Sequence, residues 1–138
     1  MKEVFADTGY WIAVLRRGDP LHAKAMEISG TLKTSRIVTS EMVLVELLNA
    51  LGDSGAGLRA TAASAVDRLR SAPNVLVVRQ TSAQFDAALA RYQSRPDKDW
   101  SLTDCASFLI MEERDIREAL VHDRGFQQAG FRTLLRDD

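Results

Sequence analysis

Asp7, Glu46, Asp104 and Asp123 stand where the surrounding pattern calls for something other than a solvated side chain. Asp7 closes the apolar run Val4-Phe5-Ala6, and Asp123 comes just after Ala119-Leu120-Val121. Glu46 interrupts Met42-Val43-Leu44-Val45 and Leu47-Leu48, and Asp104 opens the helical stretch from Cys105 to Glu113. If the strands are parallel neighbours, all four acids can converge on one edge of a sheet. Carboxylates gathered that closely repel one another and call for a hard cation such as Mg²⁺ or Mn²⁺. Such a cluster suits metal-dependent phosphoryl transfer.

Taken singly, each acid also has a plainer role. Asp7 and Asp123 can cap the helices that follow them, because a side-chain oxygen there accepts a free backbone N–H. Ser101-Leu102-Thr103-Asp104 fits a capping box in which Asp104 reaches back to Ser101. Glu46 is harder to place, since the helix around it is apolar on nearly every face. An unpaired buried carboxylate there would cost several kcal/mol or turn neutral. A metal, an arginine, a solvent-filled cleft or a partly exposed helix edge would remove that cost.

The elements that must position these residues alternate along the chain. Strands are expected at 3–6, 37–39, 75–78, 119–122 and near 131–134. Helical patterns fall between them: Tyr10–Leu15, a stripe of Leu21, Ala25 and Ile28 with Pro20 in its first turn, Glu41–Leu51, Leu58–Ser71, Phe85-Ala88-Leu89-Tyr92 at helical spacing, and 101–113. The stretches 52–57 and 95–100 read as loops, and a short helical turn starts at Arg124. Alternation without internal repeats predicts an α/β fold with a parallel sheet covered on both faces. In such sheets a ligand crevice lies beyond the carboxyl ends of the strands, where Asp7, Asp104 and Asp123 all fall.

The 138 residues suit one domain with a substantial core, at 46% hydrophobic and 27% charged residues. A formal charge of -1 excludes a generally basic nucleic-acid-binding surface but not a local one. Only Lys2, Lys24, Lys33 and Lys98 among the 18 basic residues are lysines, and the arginine fork suits phosphate oxygens. Cys105 is the only cysteine, so no internal disulfide forms and the residue reads as core. No stretch is long enough to span a membrane and no signal peptide is evident, so a cytoplasmic location is expected.

In four segments, in order and nearly end to end, the chain resembles the PIN-domain ribonucleases, and especially the VapC-type toxins of type II toxin–antitoxin systems. They are Phe5-Ala6-Asp7-Thr8-Gly9-Tyr10-Trp11; Thr39 to Asn49 around Glu46; Trp100-Ser101-Leu102-Thr103-Asp104-Cys105-Ala106-Ser107-Phe108; and His122-Asp123-Arg124-Gly125-Phe126 with Ala129-Gly130-Phe131. The resemblance implies a single PIN-like nuclease domain over residues 1–138, folded as a three-layer α/β/α sandwich. It implies an Mg²⁺- or Mn²⁺-dependent endoribonuclease, with Asp7, Glu46, Asp104 and Asp123 as catalytic acids and metal ligands and with Thr8 and Thr103 supporting them. It also implies a homodimer built through helices and a cognate antitoxin protein. Many members carry a further acid just after the last aspartate, where this chain has Arg124 and Gly125.

Hydrolysis of an RNA phosphodiester by such a site needs no histidine base, which agrees with the unremarkable settings of His22 and His122. Arg16, Arg17, Arg95 and Arg124 are candidate contacts for the RNA backbone, against a reading as solvated surface charge. The apolar stripes Tyr10-Trp11-Ile12, Leu21–Ile28 and Leu44–Leu51 offer more hydrophobic helical surface than a small sheet requires. A receiver-like phosphoacceptor would want paired acids after the first strand and a late lysine, and a haloacid-dehalogenase-type phosphatase a second aspartate where Gly9 stands. A non-catalytic PIN-like protein-interaction module is the remaining alternative.

Overall fold

Three consecutive apolar residues, Val4-Phe5-Ala6, suit a strand only if both of its faces are covered, and all three are fully buried. The computed structural model describes residues 1–136. Its elements are β1 (Glu3–Ala6), α1 (Thr8–Leu15), α2 (His22–Ser29), β2 (Arg36–Ser40), α3 (Glu41–Gly52), α4 (Ala56–Ser71), β3 (Val75–Val78), α5 (Ser82–Ser94), α6 (Leu102–Glu113), β4 (Glu118–Leu120), α7 (Arg124–Gln128) and β5 (Arg132–Thr133). The five strands pair in parallel in the order β3-β2-β1-β4-β5.

That order sets where the helices lie. The chain moves outward from β1 to β2 to β3, then crosses back to place β4 on the other side of β1. Right-handed crossovers therefore put α1 to α4 on one face and α5 to α7 on the other, which is the expected three-layer sandwich. The strand order reverses between β1 and β4, the switch point at which parallel α/β sheets open a crevice. Asp7 follows β1 and Asp123 follows β4, so the topology itself brings these two acids together.

Buried polar contacts fix this edge. The Asp7 backbone N–H donates to the Leu120 carbonyl at 3.4 Å, tying the end of β1 to the end of β4. On the other side the Thr39 hydroxyl donates to the Ala6 carbonyl at 2.9 Å and accepts from Trp11 Nε1 at 3.3 Å. One buried threonine thus joins β2, β1 and α1, and satisfies an indole N–H that would otherwise be lost in the core. Behind α6, Phe108 sits edge-on to Trp100 and Phe126, with ring centroids 5.0 Å and 4.9 Å apart.

Several boundaries differ from expectation for local reasons. Pro20 lies in the turn before α2, where the Asp19 carboxylate accepts from the Leu21 N–H at 2.9 Å and the helix opens only at His22. The loop expected over 52–57 shrinks, because Gly52 ends α3 and Gly57 already belongs to α4; only Gly55, at φ 102°, has a conformation that needs glycine. β4 ends at Leu120 and β5 spans just Arg132–Thr133.

The larger correction concerns apolar surface. Tyr10, Trp11, Leu44, Leu47 and Leu51 are core, and Leu21 and Ile28 pack against it. The surplus lies elsewhere, on Val45 and Leu48 of α3 and on Phe85, Leu89 and Tyr92 of α5, all exposed. Of the α5 stripe only Ala88 is buried. The spacing of that stripe is helical as expected, but its large side chains face outward.

Candidate active site

The four acids reach the site from four different elements. Asp7 occupies the N-cap position of α1 without capping it through its side chain. It is buried, and its Oδ1 has no hydrogen-bond partner. Burial, and then the negative charge of Asp104 with smaller effects from Glu46 and Asp123, pushes its carboxyl up to about 7. Helix capping therefore does not explain this residue.

Asp104 does cap. The Ser101 N–H donates to Asp104 Oδ2 at 3.0 Å and the Ser101 hydroxyl accepts from the Asp104 N–H at 3.0 Å, completing the expected capping box. Even so, burial raises its carboxyl to about 6, with Asp123 and Glu46 adding repulsion against the hydrogen bonds from Ser101. Asp123 caps α7 by accepting from the Gly125 N–H at 3.1 Å and is otherwise exposed.

Glu46 is half-buried rather than enclosed by apolar neighbours, since Val45 and Leu48 beside it face solvent. Its Oε1 accepts from the Thr8 hydroxyl at 2.6 Å. Thr8 thus holds a glutamate from α3 against the start of α1. Thr103 is buried, and its carbonyl accepts the Ser107 hydroxyl at 2.9 Å. Among the described residues its side chain makes no hydrogen bond to the four acids.

The negative charges of Glu46 and Asp123 act on both Asp7 and Asp104, which brings the four acids to one site. Among the described residues no three acidic, histidine or cysteine side chains are drawn into a ready-made metal cage. The fit to a divalent cation rests instead on the orphaned, buried oxygen of Asp7 and on a donor set made only of carboxylates, which hard cations prefer. A cation would relieve both the desolvation of Asp7 and the mutual repulsion of the group.

Of the candidate RNA contacts, Arg16, Arg17 and Arg124 are exposed. Arg95 is engaged in a two-pronged pair with Asp97 at 2.9–3.0 Å and lies over the Trp100 ring at 5.3 Å. Trp100 is the residue that the sequence reading passed over. A lone tryptophan ending a polar loop, directly before a capping box, was the available signal, because so large a ring rarely remains in water.

A family model described as PIN domain matches residues 4–132. The 23S rRNA-specific endonuclease VapC20 of Mycobacterium tuberculosis, from two strains, is 31% identical to this chain over 129 residues, covering 93% of it and 95% of the relative. The crystal structure of Mycobacterium tuberculosis VapC20, a sarcin-ricin loop cleaving toxin, matches with a TM-score of 0.83 and 27% identity over 93% of this chain and 95% of that one. The structure of FitAcB from Neisseria gonorrhoeae shares the fold alone, with a TM-score of 0.63 and 15% identity over 94% of each chain. No helix among the described residues is long and apolar enough to cross a membrane.

Proposed function

The chain belongs to the PIN domain family, in its VapC-type toxin branch, and we propose from that premise that residues 1–138 are one Mg²⁺- or Mn²⁺-dependent endoribonuclease domain acting on cytoplasmic RNA. The observation behind this reading is Asp7: a buried carboxylate at the sheet's switch point, with one oxygen unpartnered and three further acids around it.

In this reading Asp7, Asp104 and Glu46 hold the cation, and Asp123 contributes from the exposed rim or orients the attacking water. Bound there, a divalent ion supplies an acidified water and relieves the charge that builds on the phosphoryl oxygens. The protein's own part is to keep the acids fixed: Ser101 clamps Asp104, the Gly125 N–H clamps Asp123 and Thr8 clamps Glu46. Thr103 contributes packing beside Asp104.

The test is cleavage of labelled RNA by the purified chain with Mn²⁺ or Mg²⁺, against the same reaction in EDTA. The sarcin–ricin loop, which VapC20 cleaves, is the first substrate to assay. Cleavage that needs added metal is the expected result. A chain that cuts no RNA in either ion would instead be a non-catalytic interaction module.

We also propose a homodimer and a cognate antitoxin. The exposed stripe of Phe85, Leu89 and Tyr92 on α5 is the kind of apolar helical surface that a second copy covers. An antitoxin side chain, arginine or lysine, would pair with the four acids in the cation's place. Light scattering should give a dimer that Leu89→Asp dissociates. An unchanged monomer mass for both proteins would refute the dimer.

A further inference from the structure

Two of the four acids are joined by a rigid path through side chains outside the acid set. Asp104 is bound to Ser101 in both directions, and Trp100 is the next residue back. Asp123 is bound to the Gly125 N–H at 3.1 Å. Trp100 and Gly125 meet face to face: a Cβ added to Gly125 would stand 3.1 Å from Trp100 Cδ1, 3.5 Å from its Nε1 and 3.8 Å from Asp104 Oδ2. The first distance is shorter than the ~3.5–4.0 Å at which carbon atoms pack. Any side chain at 125 would therefore push on the tryptophan.

The tryptophan has little room to yield. It is 7% exposed, its Nε1 donates to Gln128 Oε1 at 3.2 Å on α7, its ring lies edge-on to Phe108, and Arg95 covers it. The φ angle of Gly125 is not in the left-handed region, where Gly55 and Gly130 alone of the glycines lie. Glycine is needed at 125 for closeness, not for backbone freedom.

We propose that Trp100 and Gly125 act together as a spacer that sets the separation of Asp104 and Asp123. Trp100 is then a positioning residue for the cation site, and Gly125 is the gap into which it fits. The same contact accounts for the missing further acid after Asp123. Position 125 points towards Asp104, but the indole occupies the space a carboxylate there would need. The spacer rests on the proposed metal site and adds to it a residue that touches neither metal nor RNA.

The test is an Mn²⁺ titration followed by electron paramagnetic resonance, without RNA, on proteins whose folding is checked by circular dichroism. Gly125→Ala should weaken Mn²⁺ binding about tenfold, the scale for disturbing groups that orient metal ligands. In a Trp100→Leu background the added Gly125→Ala should cost less than about twofold, because the clash is gone and the two positions are coupled. Trp100→Phe serves if Trp100→Leu does not fold. Ile116→Ala, a buried change just before β4 and so at the opposite end of that strand from Asp123, should lower the melting temperature and leave Mn²⁺ affinity unchanged. Equal costs of Gly125→Ala in both backgrounds, or an Ile116→Ala protein that loses Mn²⁺ as Gly125→Ala does, would overturn the spacer while leaving the metal site intact. Wild-type protein that binds no Mn²⁺ would remove the metal site and the spacer with it.

Discussion

Asp7→Asn and Asp104→Asn proteins are expected to lose RNA cleavage by at least about 10²–10³-fold, the scale for removing one preorganised electrostatic group from an active site. Without metal they should melt no lower than the wild type. Both expectations follow from the same facts. The Asp7 carboxylate is buried with an unpartnered oxygen, so the neutral amide of similar shape removes a desolvated charge and breaks no hydrogen bond through that atom. At position 104 the amide oxygen still accepts from the Ser101 N–H, so the capping box survives while the negative charge does not. Thr8→Val should be milder than either, because it leaves all four acids in place and removes only the hydroxyl that Glu46 accepts at 2.6 Å. Cleavage of labelled RNA and thermal melting in EDTA measure the two effects separately. An Asp104→Asn preparation free of contaminating nuclease that still cuts RNA would end the assignment of the four acids.

How far this site was legible in the sequence depends on the residue. Asp7, Asp104 and Asp123 were, because strand ends and helix starts leave local marks, and the alternation of elements implies that such ends share one edge of a parallel sheet. Their proximity depends on more than alternation. It needs β4 to pair with β1, and no local pattern states a strand order. Glu46 was found for a reason that was only partly right. The apolar run around it suggested burial, but the helix leaves Val45 and Leu48 outside, and the glutamate is held by a hydroxyl 38 residues away in sequence. The α5 stripe shows the same limit, since helical spacing says which residues share a face and not whether that face is inside. Trp100 was lost among the polar residues of its loop. Its importance comes from Gly125, which a sequence shows only as one more glycine.

The apo protein should become less stable as pH rises from about 4 to about 7, and a divalent cation should reverse that trend. Burial first, then the neighbouring acids, holds Asp7 up to about 7, and burial likewise holds Asp104 up to about 6. In the unfolded chain both would release their protons near 3.9. Between these values the folded state binds more protons than the unfolded state, so stability is full at the acid end of the window and is lost as pH climbs through it. In a protein of this size even a part of that loss lowers the melting temperature by several degrees. Metal binds the ionised carboxylates and competes with the same protons, so its stabilisation by mass action grows with pH. Thermal melts across this range, in EDTA and in millimolar Mn²⁺, should therefore diverge as pH rises, and Asp7→Asn should flatten the EDTA series most. A wild-type melting temperature that is level across the range in EDTA, or that Mn²⁺ leaves unmoved at the alkaline end, would show that these acids neither repel one another in the folded protein nor hold a cation.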